Sequence, residues 1–159
     1  VAAVEAVGLQ DHRRCREDKV AVPRAMGLVT NPQAGGCYYY VHMAVGGLRM
    51  LSRADRCLAT VLRFQKAMLG VRLHVAGVSD ESFEERFREA LCEVLAEHNL
   101  NACAMGLRFI VSVRPLWAAR PLCTRPYRVS DDAELCAGLQ AWRQLTEARG
   151  RVGCRSHVL

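Results

Sequence analysis

Lysine and isoleucine are almost missing from this chain: Lys19 and Lys66 are the only lysines and Ile110 the only isoleucine. Of the 22 basic side chains, 20 are therefore arginines, the better residue for forked contacts with phosphate or carboxylate. A coding preference for GC-rich codons accounts for the same bias, so composition alone leaves both explanations open. Closely spaced cysteines are also missing. Eight cysteines stand at 15, 37, 57, 92, 103, 123, 136 and 154 with no CxxC among them, which removes the usual signatures of zinc ribbons, thioredoxin-type redox pairs and iron-sulfur sites. Cys92 and Cys136 are expected as small buried hydrophobes in a reducing compartment. No apolar run reaches the length that spans a bilayer, and there is no GxSxG, no phosphate-cradling glycine loop with a lysine and no HExxH. No motif calls for a metal or cofactor.

What is present bounds the chain to one domain. Its 159 residues, 51% hydrophobic and 24% charged, suffice for a core without disulfide or metal staples. The net charge of +6 is uneven. Residues 1–70 hold ten basic and five acidic side chains, residues 71–114 five and seven, and residues 115–159 seven and four. The chain opens at Val1 without methionine, and Val1 to Leu9 lacks the basic amphipathic form of a transit peptide, so any targeting segment is expected to be gone already.

Periodicity predicts a single α/β or α+β domain over 37–150, preceded by an arm and turn region (1–36) and followed by a tail (151–159). A short strand is expected at Ala25 to Val29, turn chemistry at Thr30 to Gly36, and a tyrosine-rich strand at Cys37 to Val45. Leu48 to Leu69 has helical spacing and Gly70 stops it. Val71, Leu73 and Val75 alternate as a strand, and Ser79 then caps a helix with Phe83, Phe87, Leu91 and Val94 on its apolar face. A return strand follows at Leu107 to Val113, an edge strand at Tyr127 to Val129, and a last helix opened by Asp131 and Glu134. The expected architecture is a mixed sheet of three to four strands covered by about three helices, in the order strand, helix, strand, helix, strand, optional strand, helix. That order is similar to the topology of thioredoxin-like domains, without their redox CxxC or a proline before the strand at Leu107.

Two basic features are candidate binding surfaces. Arg49, Arg53, Arg56, Arg63 and Lys66 gather on one face of the helix expected over 48–69, a geometry suited to a phosphate backbone. Three Arg-Pro dipeptides in 114–126 make an extended arm in which Arg114, Trp117, Arg120, Arg125, Tyr127 and Arg128 interleave charge with stacking groups. Solvated surface faces have the same sequence pattern. Glu81, Glu85, Glu89, Glu93 and Glu97 form an acidic stripe, for which pairing with the basic helix is the simplest partner. His98, near a helix end, is read as contacting free carbonyls. His42, His74 and Cys37 would meet only if two neighbouring strands shared a register. The sequence therefore points to a non-catalytic subunit of a larger assembly, contacting other protein subunits and RNA phosphates. An organellar ribonucleoprotein such as the mitochondrial ribosome is the favoured setting. An accessory subunit of a mitochondrial respiratory complex is one alternative, and a small thioredoxin-like enzyme or ligand-binding domain without a CxxC is another; the expected location is mitochondrial, with the cytoplasm as the alternative.

Overall fold

In the computed structural model of the chain, residues 27–113 and 121–154 are described, the latter without the side chains of 150–154. The fold is α+β: three helices and one antiparallel sheet. Strands β1 (Leu28–Gln33), β2 (Gly36–Val45) and β3 (Leu48–Leu51) form a meander, followed by helices α1 (Leu58–His74) and α2 (Asp80–Glu97). Strand β4 (Arg108–Val113), the short β5 (Leu122–Cys123) and β6 (Tyr127–Arg128), and helix α3 (Asp132–Cys154) complete it. Neighbours run β1-β2-β3-β4, and β5 and β6 lie end to end along the far edge of β4. At the break between them the Thr124 N–H donates to the Val111 carbonyl (3.0 Å), and the Val111 N–H donates to Thr124 Oγ1 (3.1 Å).

The sheet is thus larger than the expected three or four strands, and antiparallel where a mixed sheet was expected. Three differences explain this. Thr30 to Gln33 pair with β2 instead of turning, and only Ala34-Gly35 lie between the paired Gln33 and Gly36, so the sheet begins before residue 37. Leu48–Leu51 continue β2 through the two-residue turn Gly46-Gly47 and are strand, not the first turns of a helix. Both turn glycines have positive φ (54° and 85°), as such a hairpin requires, and a Cβ on Gly46 would lie 1.9 Å from the Phe83 ring.

The third difference is at Val71 to Val75, which ends a helix instead of forming a strand. Val71 and Val75 are buried and Leu73 is 72% exposed, the outcome of i, i+4 spacing and not of alternation. They extend the buried stripe of Val61, Phe64, Ala67 and Met68. Gly70 does not stop the helix. It lets α1 approach α2, since a Cβ there would sit 2.9 Å from a Val94 methyl. The element order is therefore three strands, two helices, strands and a last helix, and the likeness to thioredoxin-like topology does not hold.

The core forms because Val41, Met43, Val45, Leu48, Met50, Phe109 and Val111 alternate onto one face of the sheet, and all three helices pack there. A chain of rings ties the layers: Phe83 to Trp142 (4.3 Å between centroids), Phe87 to Phe109 (6.2 Å) and Phe109 to Tyr127 (5.6 Å). Trp142 Nε1 donates to the Gly46 carbonyl (3.0 Å), pinning the β2–β3 turn to α3. Asp131 Oδ1 accepts from the N–H groups of Ala133 (3.0 Å) and Glu134 (3.1 Å), capping α3. Ser79 occupies the N-cap position of α2 without a capping side-chain bond, and Asn99 leaves that helix with φ of 50°. Cys92 and Cys136 are exposed, because the buried positions of their helices fall at 87, 90, 91 and 94 and at 135, 138, 139 and 142. No described helix is long and apolar enough to cross a membrane.

Candidate nucleic-acid interface

Because the helices occupy one face of the sheet, its register defines the other. Across β2, β3, β4 and β6 one outward row runs His42, Leu51, Arg108, Arg128, and a second runs Ala44, Arg49, Ile110. Tyr38 and Tyr40 continue the outward positions of β2, opposite Asn31 and Val29 of β1. Ser112 and Cys123 end the face on β4 and β5. Arg49, Arg108 and Arg128 are exposed, and Tyr38, Tyr40 and His42 are half-buried. No aspartate or glutamate occupies an outward register position of these strands.

The cations of this surface differ in how they are held. Arg128 grips Glu134 with two donors, Nη2 at 2.8 Å and Nε at 3.1 Å to Oε1, while its backbone N–H donates to Oε2 at 2.8 Å. Asp131 lies 3.8 Å away. The guanidinium holds the Glu134 carboxyl below the usual carboxylate range, and Glu134 in turn raises Arg128. The side chains of Arg49 and Arg108 have no hydrogen bond or ion pair with another described residue. Arg56, at the β1–β2 end of the sheet, donates to the Tyr38 hydroxyl from Nε (2.9 Å) and Nη2 (2.7 Å) and lies 5.0 Å from the ring centroid.

The five basic residues expected on one helix face are therefore distributed over three places. Arg49 is on β3. Arg53 and Arg56 lie in the segment 52–57, where Arg53 pairs with Asp55 (3.3 Å) and faces the Phe64 ring. Arg63 and Lys66 are exposed on α1, and Arg63 Nη2 donates to the His98 carbonyl at the end of α2 (3.4 Å). Of the Arg-Pro arm, Arg114, Trp117 and Arg120 lie outside the described residues. Arg125 stacks on Tyr127 (4.9 Å to the centroid), but Tyr127 itself is 9% exposed and belongs to the core. Its ring is committed to Phe109 and is not free to stack on a base.

The acidic stripe lies in the helical layer, all five carboxylates exposed. Two of its members are paired: Glu89 with Arg86 of the same helix (3.0 Å), and Glu93 with His74 in the last turn of α1 (3.6 Å) and not with Arg63 or Lys66. His74 ends a helix, and His42 and Cys37 alternate to opposite faces of β2, so the three do not share a sheet face. Among the described residues no three His, Cys, Asp or Glu side chains converge as a metal site. Sequence reasoning missed Arg108, Tyr38 and Tyr40. The signal was there: once Phe109 and Val111 face inward, Arg108 and Ile110 must face outward.

Comparison with known proteins gives no match: no protein-family model, no curated protein and no solved structure matches this chain.

Proposed function

We propose that the protein is a non-catalytic subunit of a ribonucleoprotein assembly, organellar and of the kind the mitochondrial ribosome represents. It contacts RNA phosphates through the open face of its sheet. The observation that carries this reading is the charge of that face: Arg49 and Arg108 stand at outward positions, with Arg128 beside them held by Glu134, and no aspartate or glutamate occupies an outward position of the strands. The exposed acidic stripe of α2 lies in the helical layer on the other side of the sheet, so a polyanion is drawn to one side of the molecule and repelled from the other. Arginine forks bind phosphate oxygens without reading sequence. Tyr40, on the outward side of β2, offers a ring face to an unstacked base, an arrangement that suits single-stranded RNA, while Tyr38 next to it is held by Arg56.

The test is a titration of a fluorescent single-stranded RNA with the wild-type protein and with Arg49→Ala/Arg108→Ala. In the plot of log affinity against log salt, the slope for single strands changes by about 0.7 for each phosphate contact. The double variant is expected to bind more weakly and to lose about 1.4 from that slope. A double variant with unchanged affinity and slope would remove the sheet face as the contact surface.

A further inference from the structure

Where the β2–β3 turn, the end of β4 and the last turns of α3 meet, the open face ends in a cleft of about 440 Å³. Its lining includes Arg49, Arg149, Ser112 and Gly47, with Leu48 and Pro121 as apolar walls and no carboxylate among the described residues. We propose that this cleft receives the terminal phosphate monoester of a nucleic-acid strand lying on the sheet. The proposal rests on the RNA-contact reading above and adds to it an end-specific site.

Three observations carry it. First, the cleft is concave and closes the sheet face at one end, and its volume falls within the usual range for small-ligand pockets. An internal phosphodiester must leave on both sides and suits an open surface; a terminal phosphate needs an exit on one side only. Second, the charge fits the end group. A phosphate monoester carries about −1.5 to −2 at neutral pH, which matches two guanidinium groups from different elements. Arg49 comes from β3 and Arg149 from α3, and neither guanidinium has a hydrogen bond or ion pair with another described residue. The Ser112 hydroxyl can donate to a third oxygen. Third, the rim is fixed before any ligand arrives. The Trp142 indole holds the Gly46 carbonyl at 3.0 Å, and a Cβ on Gly47 would lie 3.3 Å from that indole nitrogen. A site built on a pinned turn and a core-packed strand loses little freedom on binding.

Arg149 lies on α3 and not on a strand, so it separates this proposal from the one it rests on. The experiment compares one RNA sequence in three forms: 5′-phosphate, 3′-phosphate, and hydroxyl at both ends. Wild-type protein, Arg149→Ala and Ser112→Ala are each titrated at one salt concentration. The wild type is expected to bind one phosphorylated form about tenfold more tightly than the hydroxyl form. Whichever end shows the preference identifies the terminus. Arg149→Ala should abolish the preference and keep hydroxyl-form affinity within about twofold, and Ser112→Ala should reduce the preference by about threefold. A preference of the same size in Arg149→Ala would be a generic effect of added charge and would overturn the proposal. Binding of all three forms with equal affinity by the wild type overturns the cleft and leaves the sheet face standing. No binding of any form overturns the sheet-face reading and the cleft together.

Discussion

Arg108 and Arg128 stand directly opposite each other on β4 and β6, both exposed on the outward face of the sheet. Like charges in that position repel, and Glu134 relieves the pair by occupying Arg128 from the side with two side-chain donors and one backbone donor. Neutralising Glu134 therefore has two opposite effects. Glu134→Gln weakens the hold on Arg128 and restores the repulsion, so thermal stability falls slightly. It also returns a full cation to the open face of the sheet, so on the proposed RNA contact the affinity for single-stranded RNA is expected to rise by about threefold at low salt. A melting curve and an RNA titration on the same preparation check both. A loss of RNA affinity in Glu134→Gln would show that the open face is not the contact surface.

The same pair sets a pH window. The folded-state carboxyl of Glu134 lies below its value in an unfolded chain because Arg128 hydrogen-bonds the charged form. Its stabilising contribution is then fully present above the ordinary carboxylate range and is lost as the pH falls through the folded-state value. The guanidinium stays charged throughout. The difference in melting temperature between wild type and Glu134→Gln should be constant near neutrality and close as the pH falls below the ordinary carboxylate range and through the lowered folded-state value. Because Arg128 sits in solvent the difference is small, so the closure of the gap is the diagnostic.

Six described cysteines are exposed, yet one should react first. At the start of α1 the Cys57 thiol lies beside Thr60 and the first N–H groups of the helix, and their polar interaction, that of Thr60 above all, holds it below its ordinary value. Timed alkylation near pH 7, read by peptide mass spectrometry, should label Cys57 ahead of Cys37, Cys92, Cys103, Cys123 and Cys136. Thr60→Val should slow it. Equal labelling of Cys57 and Cys92 in the folded protein would contradict this.

Ser52 is 3% exposed, one of the few polar side chains inside this fold. Its hydroxyl oxygen accepts from the Val41 N–H (2.9 Å) and the hydroxyl donates to the Arg53 carbonyl (2.9 Å), while its own N–H donates to the Val41 carbonyl (3.0 Å). The side chain thus replaces a backbone partner where β3 leaves the ladder. Ser52→Ala orphans the buried Val41 N–H and should cost about 1–3 kcal/mol. Chemical denaturation with an unchanged slope is the measurement.

The elements legible in the sequence were those whose signal had one reading. The tyrosine strand, the helix behind Ser79, the strand at Phe109, the edge strand at Tyr127 and the helix behind Asp131 all lie where periodicity and capping agreed. Val71-Arg72-Leu73-His74-Val75 failed because a five-residue apolar alternation and an i, i+4 helical pair are the same letters. Only the stripe running back to Val61 separates them. Leu48–Leu51 failed because a four-residue strand is too short to show a period, and the Gly46-Gly47 turn that announces it was read only as a boundary. The candidate site was less legible for a related reason. A basic stripe is a property of the element that carries it, so when the helix over 48–69 became strand, segment and helix, its cations separated. Arg108 and Arg149 were readable as charges but not as neighbours of Arg49, because only tertiary register brings β3, β4 and α3 to one end of the sheet.

Gly138 sets helix propensity against packing, and the distances decide between them. It lies in the middle of α3, where alanine is favoured over glycine by about 1 kcal/mol. Yet a Cβ there would lie 2.4 Å from Phe109 Cζ, 2.7 Å from Phe109 Cε2 and 2.8 Å from Tyr127 Cδ2. Neither ring can turn aside, because each packs on the other at 5.6 Å and Phe109 also meets Phe87 at its edge. Overpacking of this kind costs about 1–3 kcal/mol. Gly138→Ala should therefore destabilise the protein by about 1–2 kcal/mol net of the helical gain. Gly46→Ala, with φ of 54° and a Cβ 1.9 Å from the Phe83 ring, adds backbone strain to a closer clash and should cost more, about 3 kcal/mol or above. Denaturation midpoints in the order wild type, Gly138→Ala, Gly46→Ala would bear out the packing of α3 and of the β2–β3 turn. A Gly138→Ala variant more stable than wild type would mean that α3 does not lie against Phe109 at this distance.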